Sequence, residues 1–132
     1  MAVNKTSLSA GEIIRAVLLE DPEVSARTRN IYPIVQTTEA AVLPYIAYRR
    51  AEMAVNPQNS GQPGADLIKM EVTCYTAKYA EGVELAEAVR GALDYVRAEQ
   101  GGAIMRGCYL AESQEDYQND AFIQQLVFNI KI

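Results

Sequence analysis

Apolar and polar residues alternate along this chain with two different periods, and the switches between them mark its elements. Ile13, Ile14, Val17 and Leu18 fall at helical spacing behind a capping box running from Ser9 to Glu12, so a one-sided helix opens at Ser9. Asp21-Pro22 ends it, because proline removes a helical hydrogen bond and restrains the residue before it. A short turn is expected over 23–27. The period then drops to two. Residues 31–35 read as a first strand, placed at an edge or bulge by Pro33. Residues 42–55 read as a strand with two mixed faces, Val42, Pro44, Ile46 and Tyr48 alternating with Leu43, Tyr45, Ala47 and Arg49. The stretch 56–64 is rich in turn-forming Asn, Pro, Ser and Gly and is expected to be an extended polar loop, the most mobile internal segment. Residues 66–77 alternate cleanly, with Ile68, Met70, Val72 and Cys74 on a dry face and Lys69, Glu71, Thr73 and Tyr75 on a wet one.

Helical spacing returns over 79–98. Val83, Ala86, Val89, Ala92 (or Leu93) and Val96 form its apolar stripe, while Glu81, Glu84, Glu87, Arg90, Asp94 and Arg97 mark the solvent side. Gly101-Gly102 is expected to stop this helix. Strands follow over 104–112 and 122–132, the last burying Leu126, Phe128, Ile130 and Ile132, with a polar, acidic hairpin end at 113–120 between them. The order α-β-β-β-α-β-β predicts an α+β fold: a single antiparallel or mixed sheet of about five strands with two helices packed on one face. The other face keeps Tyr, Thr, Gln and charged residues and is open to solvent or to a partner.

At 132 residues, with no repeat, linker or low-complexity tract, the chain is expected to form a single domain over 1–132, with 1–8 a flexible N-terminal segment. Eight Tyr against two Phe and no Trp suit half-buried strands and protein interfaces. The net charge of −5 and the absence of a basic stripe argue against nucleic-acid binding. Cys74 and Cys108 lie in apolar alternating runs and read as buried hydrophobes of a reducing compartment; a disulfide would need their strands side by side. No secretory leader and no apolar stretch near the ~20 residues of a membrane helix is found, so the expectation is a soluble chain, made inside the cell, with no membrane partner.

The search for chemistry returns little. Histidine is absent, which removes the commonest general base and metal ligand, and no phosphate-loop, dinucleotide or nucleophile-elbow motif occurs. Glu112, Glu115, Asp116 and Asp120 crowd one hairpin end, but lack the glycine and oxygen order of a calcium loop and read as a solvated acidic loop. Glu81, Glu84 and Glu87 read as a wet helix face. Arg49 and Arg50 are successive strand residues, so their guanidiniums would point to opposite faces and not converge on one phosphate. No catalytic, cofactor or metal residue is identified, and the chain is not expected to be an enzyme.

The order of elements and several phrases carry a resemblance. The opening helix SAGEIIRAVLLEDPEV leads into IYPIVQTTEAAVLPYIAYRRAE, then the strand DLIKMEVTCYTAKY, a helix with AEAVRGALDY, and a closing hairpin ESQEDYQNDAFIQQLVFNIKI. From Ser9 onward this resembles the tail completion (tail terminator, tail-to-head joining) proteins of long-tailed bacteriophages and prophages. The resemblance implies a structural assembly protein, made in the host bacterial cytoplasm and carried in the tail or neck of the virion. It implies a homo-oligomeric ring, commonly a hexamer, capping the tail tube or joining it to the head connector. The implied partners are other copies of the chain, the tail tube protein and the head-tail connector proteins; DNA passes through the lumen without specific binding. Contact residues are sought at Tyr45, Arg49 and Arg50, at Asn56 and Asn59 in the polar loop, and at Glu115, Asp116 and Tyr117 in the hairpin. Six copies at −5 each carry −30, so an acidic lumen would let DNA slide without sticking. A terminator and a neighbouring neck adaptor fit the same phrases. The alternative is a small-ligand-binding or regulatory module of ferredoxin-like type, which should show a deep apolar pocket with convergent polar groups.

Overall fold

The structure, a computed structural model, describes residues 3–34, 42–55 and 66–132. It is α+β, with a five-stranded mixed sheet in the order β1-β2-β3-β7-β6 and three α-helices. The five are β1 (Ile31–Pro33), β2 (Tyr45–Ala54), β3 (Leu67–Thr76), β6 (Gly107–Gln118) and β7 (Ala121–Lys131). β1 runs parallel to β2, and the other pairings are antiparallel. β4 (Ala98–Gln100) and β5 (Ala103–Met105) form a separate small hairpin.

Helices α1 (Ala10–Glu20) and α3 (Tyr79–Leu93) cover one face of the sheet. Ile13, Ile14 and Leu18 of α1 and Leu85, Val89 and Leu93 of α3 meet Ile46, Ile68, Met70, Val72, Cys74, Phe128 and Ile130 in one core. Both clean alternations, in β3 and in the last strand, therefore report burial under these helices, as the sequence indicates.

Four local readings are corrected. The turn expected over 23–27 is a helix, α2 (Pro22–Arg27): Pro22 takes its first turn, where no amide is needed, and Asp21 Oδ1 accepts from the amides of Glu23 and Val24, each at 3.0 Å. The capping box at Ser9 does not form. Thr6 instead caps a single 3-10 turn (Ser7–Ser9), and Glu12 Oε2 pairs with Lys5 Nζ at 2.5 Å. Helix α3 stops at Leu93, five residues early. Asp94 leaves helical geometry, its carboxylate accepting from Leu110 N at 2.9 Å, and Tyr95 at φ 62° turns the chain toward Cys108. Gly101-Gly102, both at positive φ, then turn the β4–β5 hairpin rather than ending a helix.

The fourth correction concerns the acidic end. β6 runs on through Gln118, and Gln118 pairs directly with Ala121. The turn is only Asn119-Asp120, at φ 53° and 61°, the left-handed pair of a two-residue hairpin. No apolar alternation announces residues 113–118 because both their faces are exposed; β7 supplies their hydrogen bonds. The observed order is α-α-β-β-β-α-β-β-β-β rather than α-β-β-β-α-β-β. Cys74 and Cys108 are buried free thiols on β3 and β6, with β7 between those strands, so they do not meet. At the N-terminus, Lys5 N donates to Gly101 O at 2.9 Å and Ser7 Oγ donates to Asp66.

Candidate functional site

The two sides of the sheet are unequal. Helices lie on one, and no described element covers the other. Across that open face the strand register builds a row from side chains distant in sequence: Tyr45 opposite Tyr75, Tyr75 opposite Ile123, and Ile123 opposite Asp116. Tyr45 and Tyr75 stack with centroids 4.6 Å apart, and Tyr32 of β1 meets Tyr45 edge-on at 5.9 Å. Burial pushes the Tyr45 and Tyr75 phenols above their ordinary value, with the neighbouring phenol adding to each. Two rows further, Arg49 faces Glu71, its Nε and Nη2 donating to Oε1 at 2.8 and 2.5 Å.

At the hairpin end a second cluster forms on the helix side. Tyr79, at the start of α3, meets Phe122 edge-on at 6.0 Å, and Phe122 packs against Tyr117 at 4.8 Å. Tyr79 Oη donates to Glu115 Oε2 at 3.0 Å, and Gln124 Nε2 donates to the same oxygen at 2.7 Å. The hydrogen bond to Glu115, and then its negative charge, raise the Tyr79 phenol. Tyr79 and Tyr117 remain half exposed.

Of the expected contact residues, Tyr45, Arg49 and Asp116 share the open face. Glu115 and Tyr117 alternate to the helix side of the same hairpin. Arg50 diverges from Arg49, as successive strand residues must, and its Nη1 donates to Leu8 O at 3.1 Å. Asn56 and Asn59, with the rest of the loop at 56–64, lie outside the described residues. The sequence did not single out Tyr32, Tyr75, Ile123, Tyr79 or Phe122. Tyr75 and Tyr79 stood in view on predicted elements, but their neighbours follow only from strand register.

Among the described residues no group of three or more His, Cys, Asp or Glu gathers as a metal site requires. Open surface depressions among the described residues measure about 230–260 Å³. That is below the ~300–1,000 Å³ usual for small-molecule sites, so they lend no support to a ligand module. No helix among the described residues is long and apolar enough to cross a membrane.

Solved structures share this fold. A chain from the virion of a native gene transfer agent particle superposes with a TM-score of 0.78 at 18% identity, over 92% of this chain and 95% of its own. A second solved chain gives a TM-score of 0.56 at 14% identity, over 92% of this chain and 94% of its own. The comparison with curated proteins returns no match. The family match is far more extensive than any local phrase: it runs from residue 12, within α1, to residue 132, and takes in α2, α3 and every strand of the sheet. The chain belongs to the family of the tail completion protein gp17 and is a tail structural protein.

Proposed function

We propose that this chain completes a phage-like tail by closing, as a ring of identical copies, over the end of the tail tube, where it offers the surface that the head connector joins. The observation that carries the reading is the one-sided build of the sheet. Helices bury one face, while the other presents stacked tyrosines and ends in a hairpin exposed on both sides. A ring needs two different patches on each subunit, meeting head to tail and closing by rotation. The open face and the hairpin end are two such patches. Each contact should bury about 800 Å² per partner, so much of so small a surface would be interface.

The likeness to a gene transfer agent virion chain supports a place in a particle, at the tail or neck. Net charge supports a passage for DNA rather than a binding site: a ring of six copies carries −30, and acidic walls repel phosphates. A ring with a basic lumen overturns that part of the reading.

The test is genetic and structural together. Particles produced without this chain should yield tails that overgrow or fail to join filled heads, and electron microscopy of normal tails should place a ring of it at the head-proximal end. Tails of normal length that join heads in its absence overturn the reading.

A further inference from the structure

We propose that the depression at one end of the open face receives the tip of the β6–β7 hairpin from a second copy of this chain. The inference rests on the ring reading above and names the contact that would link neighbours. Its basis is a charge polarity along the strands. Between Arg106 and Lys131 the sequence has no Lys or Arg, yet it carries Glu112, Glu115, Asp116 and Asp120, and residues 111–120 are all exposed. At the opposite end of the sheet, Leu67 pairs with Lys131 and Lys131 pairs with Gly107. Here a depression of about 260 Å³ is lined by Leu67, Lys69, Tyr109, Asn129 and Lys131, together with Glu52.

Both surfaces have what a contact of this kind requires. The depression has a mainly apolar lining, with Leu67 49% and Tyr109 46% exposed, and two lysines in it against one carboxylate, Glu52. Lys69 is held loosely by Glu52 at 3.8 Å, and Lys131 makes no ion pair among the described residues. The tip is stiff. Register pairing continues to Gln118 and Ala121, Tyr117 packs on Phe122, and Asp116 Oδ1 accepts from Tyr117 N at 2.8 Å. A stiff tip loses little entropy on docking. Its exposed Tyr117 and the carboxylates of Asp116 and Asp120 match a mainly apolar lining that includes Lys69 and Lys131.

One copy cannot satisfy itself. Tip and depression stand at opposite ends of β7, roughly 30 Å apart by the rise of a strand. The contact is therefore between copies and joins two different patches, the arrangement that propagates into a ring.

Charge reversal tests it. The variants are Lys69→Glu with Lys131→Glu, Asp116→Lys with Asp120→Lys, a chain carrying all four changes, and an equimolar mixture of the two double variants. Mass is read by light scattering over a range of concentrations and salt, and folding by thermal melting. The wild-type chain should self-associate, less strongly at high salt. Each double variant should fold and associate at least tenfold more weakly. The four-change chain and the mixture should both recover the wild-type species. Unchanged association in the double variants overturns the proposal, as does a loss that neither combination restores, or a wild-type chain that stays monomeric to its solubility limit. Weakening that only an added acidic tube or connector protein relieves also overturns it and makes that protein the occupant. Failure here is distinct from failure of the ring reading: if tails still require the chain while the reversals are harmless, this contact falls and the tail reading stands.

Discussion

Gly82 sits where α3 packs against the end of β3, and a Cβ there would stand 2.8 Å from Thr76 Oγ1. Thr76 is fully buried and its hydroxyl donates to Lys78 O at 2.8 Å, so it cannot swing aside without losing that bond. Gly82→Ala gains about 1 kcal/mol of helix propensity but overpacks the contact at a cost of about 1–3 kcal/mol. We expect a net loss of stability in urea unfolding; a more stable variant would show that the helix can lift off the strand freely. The same close approach explains a misreading of α3. The sequence puts Val83 and Ala86 in its apolar stripe, yet Gly82 and Leu85 are the buried pair, with Val83 and Ala86 half buried beside them. Spacing gives the period of a helix, while the residue without a side chain sets which line of it faces the sheet. Among the candidate contact residues, the divergence of Arg49 from Arg50 was legible, since it needs only the strand period. The partners of Tyr45 and Asp116 were not, because Tyr75 and Ile123 reach them through register between strands far apart in sequence.

At the scale of elements, strands buried on one side were legible and the uncovered strand was not. Residues 113–118 form half of β6 without apolar alternation, because their stabilisation comes mainly from pairing with β7 and neither of their faces is buried. The turn residues carry the test of that difference. Asn119 and Asp120 both take positive φ, where a β-carbon is crowded and glycine is not. In a two-residue hairpin turn Asn-Gly is the favoured pair, so Asp120→Gly should stabilise the chain by on the order of 1 kcal/mol. In a loose loop spanning 113–120 the same change would leave the melting temperature unmoved or lower, and thermal melting separates the two. Boundaries of α3 follow a similar logic. Val96 continues the helical spacing, but the Asp94 carboxylate bonded to Leu110 N draws the chain toward the β6 edge before Val96 is reached. A side-chain acceptor serving a distant strand leaves no periodic trace.

For the whole molecule, the one-sided sheet was legible from composition and alternation together, and among the described residues it puts five partly or fully buried titrating groups beneath the helices or on the open face. Cys74 lies beneath the helices, where burial pushes its thiol up to about 12. Burial also pushes Cys108 up to about 12, with the negative charge of Asp94 adding to it. Burial likewise raises the phenol of Tyr48 in the core and those of Tyr45 and Tyr75 on the open face. All five groups are neutral when protonated, and all hold their protons more tightly folded than unfolded. Between the ordinary thiol value of 9.0 and about 12, the unfolded chain therefore binds fewer protons than the folded one, and stability must fall as pH rises. Below pH 9.0 this contribution is complete. Each thiol can lower stability by up to about 1.4 kcal/mol per pH unit inside the window. The urea midpoint should thus hold steady through neutral pH and decline once the solution passes the ordinary thiol value. Replacing both cysteines with alanine should flatten the early part of that decline and leave the later, tyrosine-driven part in place. A midpoint that does not change across the whole window would mean that these groups titrate alike in both states, and that the core leaves Cys74 and Cys108 as hydrated as the unfolded chain does.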